Sequence, residues 1–104
     1  MIVQNNIFFY VYSEMRFKNY SKLSAKALQK DFSVQYLCLA ACGEIGEAAN
    51  LVKKQERDGV NNTARILEEL GDSLFYISQL CAKLGSSLSE VAAQNLEKIA
   101  AYDD

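Results

Sequence analysis

Two pairs of carboxylates, set in otherwise uncharged apolar stretches, constrain the fold of this chain more than any other feature. The pairs are Glu44–Glu47 and Glu69–Asp72, each with i, i+3 spacing. On an α-helix this spacing places both acids of a pair on one face. No other charge occurs in the segment 32–52, and Asp72 is the only charged residue in the segment 70–82. Acids in such apolar helices are costly to bury unless a positive group meets them.

The chain contains no proline, so nothing in it interrupts long helices. Apolar periodicity and capping signals predict an all-α fold. Asp31 or Ser33 is expected to cap the second helix, and Ser87 with Glu90 forms a capping-box pattern for the fourth. Loop-forming residues fill positions 56–62, and Gly85 is expected to end the third helix. The predicted helices are Lys18–Lys30, Val34–Gln55, Thr63–Leu84 and Ser87–Ala101.

Composition narrows the function classes. A length of 104 residues predicts one small domain, and a net charge of −2 argues against nucleic-acid binding. No apolar run approaches the ~20 residues of a membrane span. The three cysteines lack CxxC spacing and lie in apolar helical contexts, which favours reduced, buried thiols of a cytoplasmic protein. They are Cys38, Cys42 and Cys81.

Three interpretations of the four acids compete. They could lie on solvated helix faces, they could belong to a carboxylate di-iron bundle, or they could bind a hard cation. The di-iron sites use Glu-x-x-His motifs, and this chain has no histidine. The short turn predicts that the second and third helices are antiparallel neighbours, which would bring the two pairs to one level. Acids gathered at one level favour Mg²⁺ or Mn²⁺, which bind oxygen ligands and substrate phosphates. Phosphoanhydride cleavage is the chemistry that follows.

Glycines accompany these acids inside the predicted helices. Gly43 and Gly46 flank the first pair, and Gly71 precedes Asp72. Each costs roughly 1 kcal/mol relative to alanine inside a helix. The pattern therefore indicates that another helix or a ligand approaches closely at these positions.

At these residues the sequence resembles the MazG-like all-α nucleoside triphosphate pyrophosphohydrolases. The resemblance rests on Glu-x-x-Glu followed by Glu-x-x-Asp, and on a similar last helix; it covers about 15–98. It implies a four-helix domain at 15–104 that assembles into an oligomeric helical bundle, preceded by an N-terminal extension at 1–14. The segments that carry it are 43–49, 53–54, 57–59, 67–72 and 84–98.

The resemblance also implies an activity and a site. The activity is Mg²⁺-dependent hydrolysis of a (deoxy)nucleoside triphosphate to the monophosphate and pyrophosphate, a house-cleaning role in the nucleotide pool. The partners are the nucleotide and other copies of the chain, in a dimer or tetramer whose subunits share each site. The four acids match the catalytic, metal-binding positions, and three further polar residues match positions that contact the nucleotide in relatives. These are Glu44, Glu47, Glu69 and Asp72, and then Lys54, Asn95 and Lys98.

One alternative of a different class stays open: a non-catalytic helical interaction or regulatory protein that retains an acidic metal site. Tyr76, one turn beyond Asp72, has two interpretations as well, packing in the core or lining the nucleotide pocket. Base and sugar preference cannot be read from the sequence, because the residues that determine them come from separate helices.

Overall fold

A computed structural model of the protein describes residues 15–27 and 30–102. This part of the chain is all-α, as the sequence predicts, with no strand among the described residues. The N-terminal extension predicted at 1–14 lies outside the described residues. None of the described helices is long and apolar enough to cross a membrane. The helices are α1 (Phe17–Ala25), α2 (Val34–Asp58), α3 (Thr63–Lys83) and α4 (Leu88–Tyr102).

Helices α2 and α3 form a long antiparallel hairpin, and they make the most extensive packing between described elements. The Ser33 hydroxyl accepts a hydrogen bond from the Tyr36 N–H at 3.1 Å and caps the start of α2. Gly59, at φ 68°, ends α2 in the left-handed conformation that favours glycine. Asn62 then closes the turn, because its N–H donates to Gln55 Oε1 at 2.8 Å and its side chain donates to the Leu51 carbonyl at 3.1 Å.

Two predicted helix ends differ from the structure by more than one residue. The first helix was expected to reach Lys30, but α1 ends at Ala25, where the chain tightens into a turn with i→i−3 hydrogen bonds. The second was expected to end at Gln55, but α2 continues to Asp58. The charged residues that follow Gln55 are compatible with an exposed helix, so they do not end α2. The backbone of Gly59 stops the helix instead.

The short helices α1 and α4 lie beside α3, the second helix of the hairpin. The Ser78 hydroxyl of α3 lies 3.3 Å from the Ser21 hydroxyl of α1. At the start of α4, the Ser87 hydroxyl accepts from the Glu90 N–H at 3.2 Å, as the capping-box pattern predicts. The Glu90 carboxylate, however, accepts from the Ser86 hydroxyl at 2.8 Å. The reciprocal half of the box is thus replaced by a neighbouring serine.

The core of the described part is small. Its buried hydrophobic residues are Leu37, Ala48, Leu51, Cys81 and Leu88. The expectation that all three cysteines are buried is wrong for two of them: Cys38 and Cys42 are exposed, and only Cys81 is buried. Their side of α2 faces away from α3, and no other described element covers it. Although α2 is apolar nearly all round, a single face of it is packed within this chain.

Replacing a glycine with alanine should have opposite effects on protein stability at the hairpin turn and inside α2. Gly59→Ala should destabilise the protein by about 1–2 kcal/mol, because a left-handed conformation strains any residue that has a Cβ. Gly43→Ala, in the middle of an exposed helix with no atom near its added Cβ, should stabilise it by up to about 1 kcal/mol. Urea unfolding of both variants measures the two effects. Equal shifts would contradict the role assigned to the turn.

Candidate metal centre

Three of the four predicted acids meet between α2 and α3. A carboxylate oxygen from each of Glu44, Glu47 and Glu69 lies within 4.8 Å of the others. The first two come from adjacent turns of α2, and the third projects from α3 at the same level of the hairpin. We call this group the glutamate cluster. Glu44 and Glu69 are half-buried, and Glu47 is exposed.

Glu69 holds the most constrained position in the glutamate cluster. Its Oε2 atom is buried and has no hydrogen-bond partner. The nearby Ser73 hydroxyl does not satisfy that oxygen, because it donates to the backbone carbonyl of Glu69 at 2.9 Å. A buried acceptor without a donor costs free energy. A cation among the three carboxylates would supply the missing partner.

The electrostatics of the glutamate cluster lead to the same conclusion. The pKa of Glu47 is raised, first because only its protonated form could donate a hydrogen bond to Glu69, and then by the Glu69 charge and by burial. The pKa of Glu69 is raised as well, first because only its protonated form could donate a hydrogen bond to Glu44, and further by burial and by the charges of Glu44 and Asp72. Raised carboxyl pKa values mean that the ionised cluster repels itself. A bound divalent cation would reverse that repulsion.

Asp72, the fourth predicted acid, stands beside the glutamate cluster and is not a member of the three-oxygen group. It is exposed on α3, one turn beyond Glu69. A step of three residues moves a side chain ~4.5 Å along the helix and ~60° around it, which turns Asp72 away from α2. Its charge nevertheless contributes to the raised pKa of Glu47 and of Glu69. It therefore adds negative potential at the edge of the cluster.

Two tyrosines lie within the field of these acids. The pKa of Tyr76 is raised by partial burial and then by Tyr36, Glu44 and Asp72. Tyr76 is half-buried and packs edge-on against Phe75, so it is neither a core residue nor fully solvated. The pKa of Tyr20 on α1 is raised by burial and then by Asp72. No sequence pattern pointed to Tyr20, because its approach to Asp72 depends on how α1 packs.

The structure does not bring the three predicted nucleotide contacts to the glutamate cluster. Lys54, Asn95 and Lys98 are exposed. In the part of the chain that the structure describes, no hydrogen bond or ion pair joins them to the acids. Lys54 instead acts on Asp58. The pKa of Asp58 is lowered first by the hydrogen bond from Arg57 and, to a smaller degree, by the charge of Lys54, whereas burial raises it. The nucleotide-binding roles of the three residues remain predictions.

The donor set fits a hard divalent cation. All candidate ligand atoms are carboxylate oxygens, and the chain has no histidine. Mg²⁺, Mn²⁺ and Ca²⁺ prefer such oxygens, whereas zinc and iron sites generally recruit nitrogen or sulfur. The buried, unpartnered Oε2 of Glu69 already points to a missing positive group. Glu44, Glu47 and Glu69 are the residues that could hold the ion, and the open side at Glu47 leaves access for a ligand.

Comparisons with known proteins match this chain to a family. The family model described as "MazG nucleotide pyrophosphohydrolase domain" matches residues 32–103, which include both acidic motifs. A relative, "Gene 37 protein" from Mycobacterium phage L5, is 38% identical over 76 residues, covering 68% of this chain and 67% of the relative. No solved structure matches the chain significantly.

Proposed function

This chain belongs to the MazG nucleotide pyrophosphohydrolase family, and we propose that it hydrolyses nucleoside or deoxynucleoside triphosphates to the monophosphate and pyrophosphate. The reaction would require Mg²⁺, for which Mn²⁺ could substitute. The observation that carries the proposal is the glutamate cluster, in which a buried oxygen of Glu69 has no partner inside the protein. A purely structural helix pair gains nothing from such an arrangement, because it leaves repulsion and an unsatisfied acceptor.

The three glutamates would divide the work according to their exposure. Glu44 and Glu69, half-buried between the helices, are held in place by packing and would bind the ion. The bound Mg²⁺ would neutralise the triphosphate and lower the pKa of a coordinated water. Glu47 is exposed and has two carboxylate oxygens, so it could contribute one to the ion and accept the proton of the attacking water with the other.

The bond changes follow from the products. The water oxygen bonds to the α-phosphorus, its proton passes to a carboxylate, and the bond from the α-phosphorus to the bridging oxygen breaks. Pyrophosphate leaves with the additional negative charge, so cationic groups must stabilise it. We assign that contact to Lys54 and Lys98, and a contact with the nucleotide to Asn95. All three are exposed in a single chain, so these contacts require the nucleotide or a second chain to approach them.

Self-association and a cytoplasmic location are part of the proposal. Of the large hydrophobic residues that the structure describes, many remain exposed, with at least one on every helix, and the buried set is small. A chain of this size gains little from its own core. A dimer or tetramer would supply the burial that the single chain lacks.

A product assay tests the proposed activity. The purified protein is incubated with Mg²⁺ and each of the standard ribo- and deoxyribonucleoside triphosphates, together with oxidised forms. The nucleotide product and the inorganic product are then identified by chromatography. We expect the monophosphate and pyrophosphate from at least one substrate. The panel also determines the base and sugar preference.

The products separate the proposal from its rivals. Diphosphate with orthophosphate would mean attack at the γ-phosphorus, contrary to the proposed reaction. Absence of turnover on the whole panel, with a melting temperature that still rises with Mg²⁺, would favour the non-catalytic interaction protein that retains the metal site. Absence of both turnover and a response to Mg²⁺ would contradict the proposed enzyme.

A further inference from the structure

Helix α4 carries one apolar row whose first half lies in the core and whose second half no described element covers. Its members follow one another at intervals of four, four and three residues, so they share one side of the helix. Exposure rises along this row: Leu88 is 5% exposed, Ala92 is half-buried, and Leu96 is 68% exposed. Ile99 follows at 49%. We call Leu96 and Ile99 the uncovered end of α4.

The charged residues of α4 stand away from this row. Successive helical residues turn by ~100°. Glu90 and Glu97, each two positions from a member of the row, therefore point to the opposite side of the helix. Lys98 precedes Ile99 by one position and points ~100° away from it. Helix α4 is thus amphipathic, and its apolar side continues past the core. A surface of this kind gains stability when an apolar partner covers it.

The chain itself contains a segment of matching chemistry before α1. Residues 1–14 lie outside the described residues, and no charged side chain occurs in 1–13. Every residue of Ile7–Tyr12 is aromatic or β-branched. This composition predicts an extended segment. We call Ile7–Tyr12 the leading segment.

An extended segment has two different sides, because successive side chains point in opposite directions. In the leading segment, one side has only hydrocarbon side chains, and the other carries two hydroxyl groups. The hydroxyl groups can bond to water, so the hydrocarbon side gains most from burial. The hydrocarbon side consists of Ile7, Phe9 and Val11, and the hydroxyl-bearing side of Phe8, Tyr10 and Tyr12.

The leading segment joins the described part of the chain at α1, which packs against α4 as well as α3. Met15 and Phe17, where α1 begins, are apolar and exposed, so the apolar character continues up to this helix. The eight residues from Phe9 to Phe17 span up to ~26 Å when extended, whereas packed helices lie about 10 Å apart. The leading segment can therefore reach α4 of its own chain. A tethered partner has an effective concentration of about 1 mM, which favours it over a second molecule.

We propose that the leading segment lies along the uncovered end of α4 in its own chain, with its hydrocarbon side toward Leu96 and Ile99. The contact removes apolar surface of both partners from water. Neither partner brings a charged side chain to it, so no ionised group is desolvated. The contact adds to the small core of the described part without involving the glutamate cluster. It is therefore independent of the proposed function.

Two neighbouring phenylalanines provide a matched test in the full-length chain. Phe9→Ala should lower the melting temperature by roughly 4–8 °C, because Phe9 belongs to the hydrocarbon side that α4 covers. Phe8→Ala removes the same side chain one position earlier, from the side that faces water. We expect Phe8→Ala to melt close to the wild-type temperature. Equal shifts of the two variants, or no shift of either, would overturn the proposal.

A double-mutant cycle tests whether α4 is the surface that is covered. Leu96→Ala should lower the melting temperature as Phe9→Ala does, and the double variant should melt close to the less stable single variant, because either change already removes the contact. Leu67→Ala is the control partner. Leu67 is 61% exposed but lies on α3, near the hairpin turn. Its effect should add to that of Phe9→Ala. Additive effects of Phe9→Ala and Leu96→Ala would overturn the proposal.

A photo-crosslink keeps the proposal testable if a variant folds poorly. With p-benzoylphenylalanine in place of Phe9, irradiation should join the leading segment to the second half of α4, whereas the same group in place of Phe8 should give little of this product. Labelled and unlabelled chains, mixed while unfolded and refolded together, identify the chain that is joined. Crosslinked peptides should carry one isotope only.

The other outcomes of this experiment contradict the proposal. Crosslinked peptides of mixed isotopes would place the leading segment on a neighbouring chain. Crosslinks from position 9 that avoid α4 would place it on another surface, and absence of any crosslink to the protein would show that nothing covers it. Loss of pyrophosphate release alone would concern the proposed function and not this contact.

Discussion

Replacing Glu69 with glutamine is expected to abolish most pyrophosphate release and, in the absence of metal, to make the protein more stable. Activity should fall because the variant removes a carboxylate from the glutamate cluster, leaving the ion weakly held. By analogy with other charge-stabilising groups in active sites, the loss in kcat/KM should be roughly 10²-fold or more. Stability should rise because Glu69 is the acid whose buried oxygen has no partner and whose ionised form repels its neighbours.

Glu68→Gln is the matched control for that experiment. Glu68 precedes Glu69 on α3, so Glu68→Gln is the same substitution one residue earlier. Glu68 is exposed, and its side chain points ~100° away from that of Glu69 around the helix. We expect it to retain activity and to melt close to the wild-type temperature with and without Mg²⁺. If both variants lost activity equally, the cause would be the general charge of the helix, and the assignment of Glu69 to the ion would be wrong.

Metal removal should have the second large effect. We expect Mg²⁺ to raise the melting temperature, since an ion that binds only the folded state adds ~2.7 kcal/mol at 100 times its Kd. For a domain of this size, that corresponds to roughly 10–20 °C. Chelation with EDTA should reverse the gain, and the Glu69→Gln variant should show little of it. An unchanged melting temperature over the full range of Mg²⁺ concentrations would contradict the candidate metal centre.

The same experiment has a defined pH dependence. The pKa values of Glu47 and Glu69 are raised above the ordinary value of 4.5, so folding favours their protonated forms. This contribution to stability is fully present below the unfolded-state pKa and is lost as the pH rises through the folded-state values. Without metal, the melting temperature of Glu69→Gln should therefore exceed that of the wild type increasingly as the pH rises from 4.5. With saturating Mg²⁺ the order should reverse, because the ion offsets the repulsion.

Local sequence patterns were sufficient to predict the four helices. They also predicted that the two acidic motifs lie at the same level of the hairpin. Ser33 and Ser87 cap helices because their hydroxyls accept N–H groups within the same turn. The end of α2 is an exception, because it was expected at Gln55 and the helix continues to Asp58, where the backbone of Gly59 stops it. The hairpin follows from two long helices joined by a short turn, and it brings Glu44 and Glu47 beside Glu69. These interactions are close in sequence, so their patterns are visible in the chain itself.

The solvent exposure of individual side chains could not be predicted from the sequence in the same way. Cys38 and Cys42 lie in an apolar stretch, which favours burial, yet they are exposed on the single chain. An apolar residue is buried only where a second surface reaches it, and α2 has such a surface on one face. The early end of α1 has a similar origin, since the sequence continues the helical pattern beyond Ala25 and the backbone turns there instead.

By itself, the sequence determined that this protein is helical, that its two carboxylate motifs lie on adjacent antiparallel helices, and that hard-cation chemistry suits them. Only the tertiary structure decided that Asp72 stands beside the glutamate cluster, that Tyr20 approaches Asp72, and that Cys38 and Cys42 stay exposed on the single chain. The reason is physical. Helix periodicity fixes which residues share a face, but the packing of one helix against another determines where that face points.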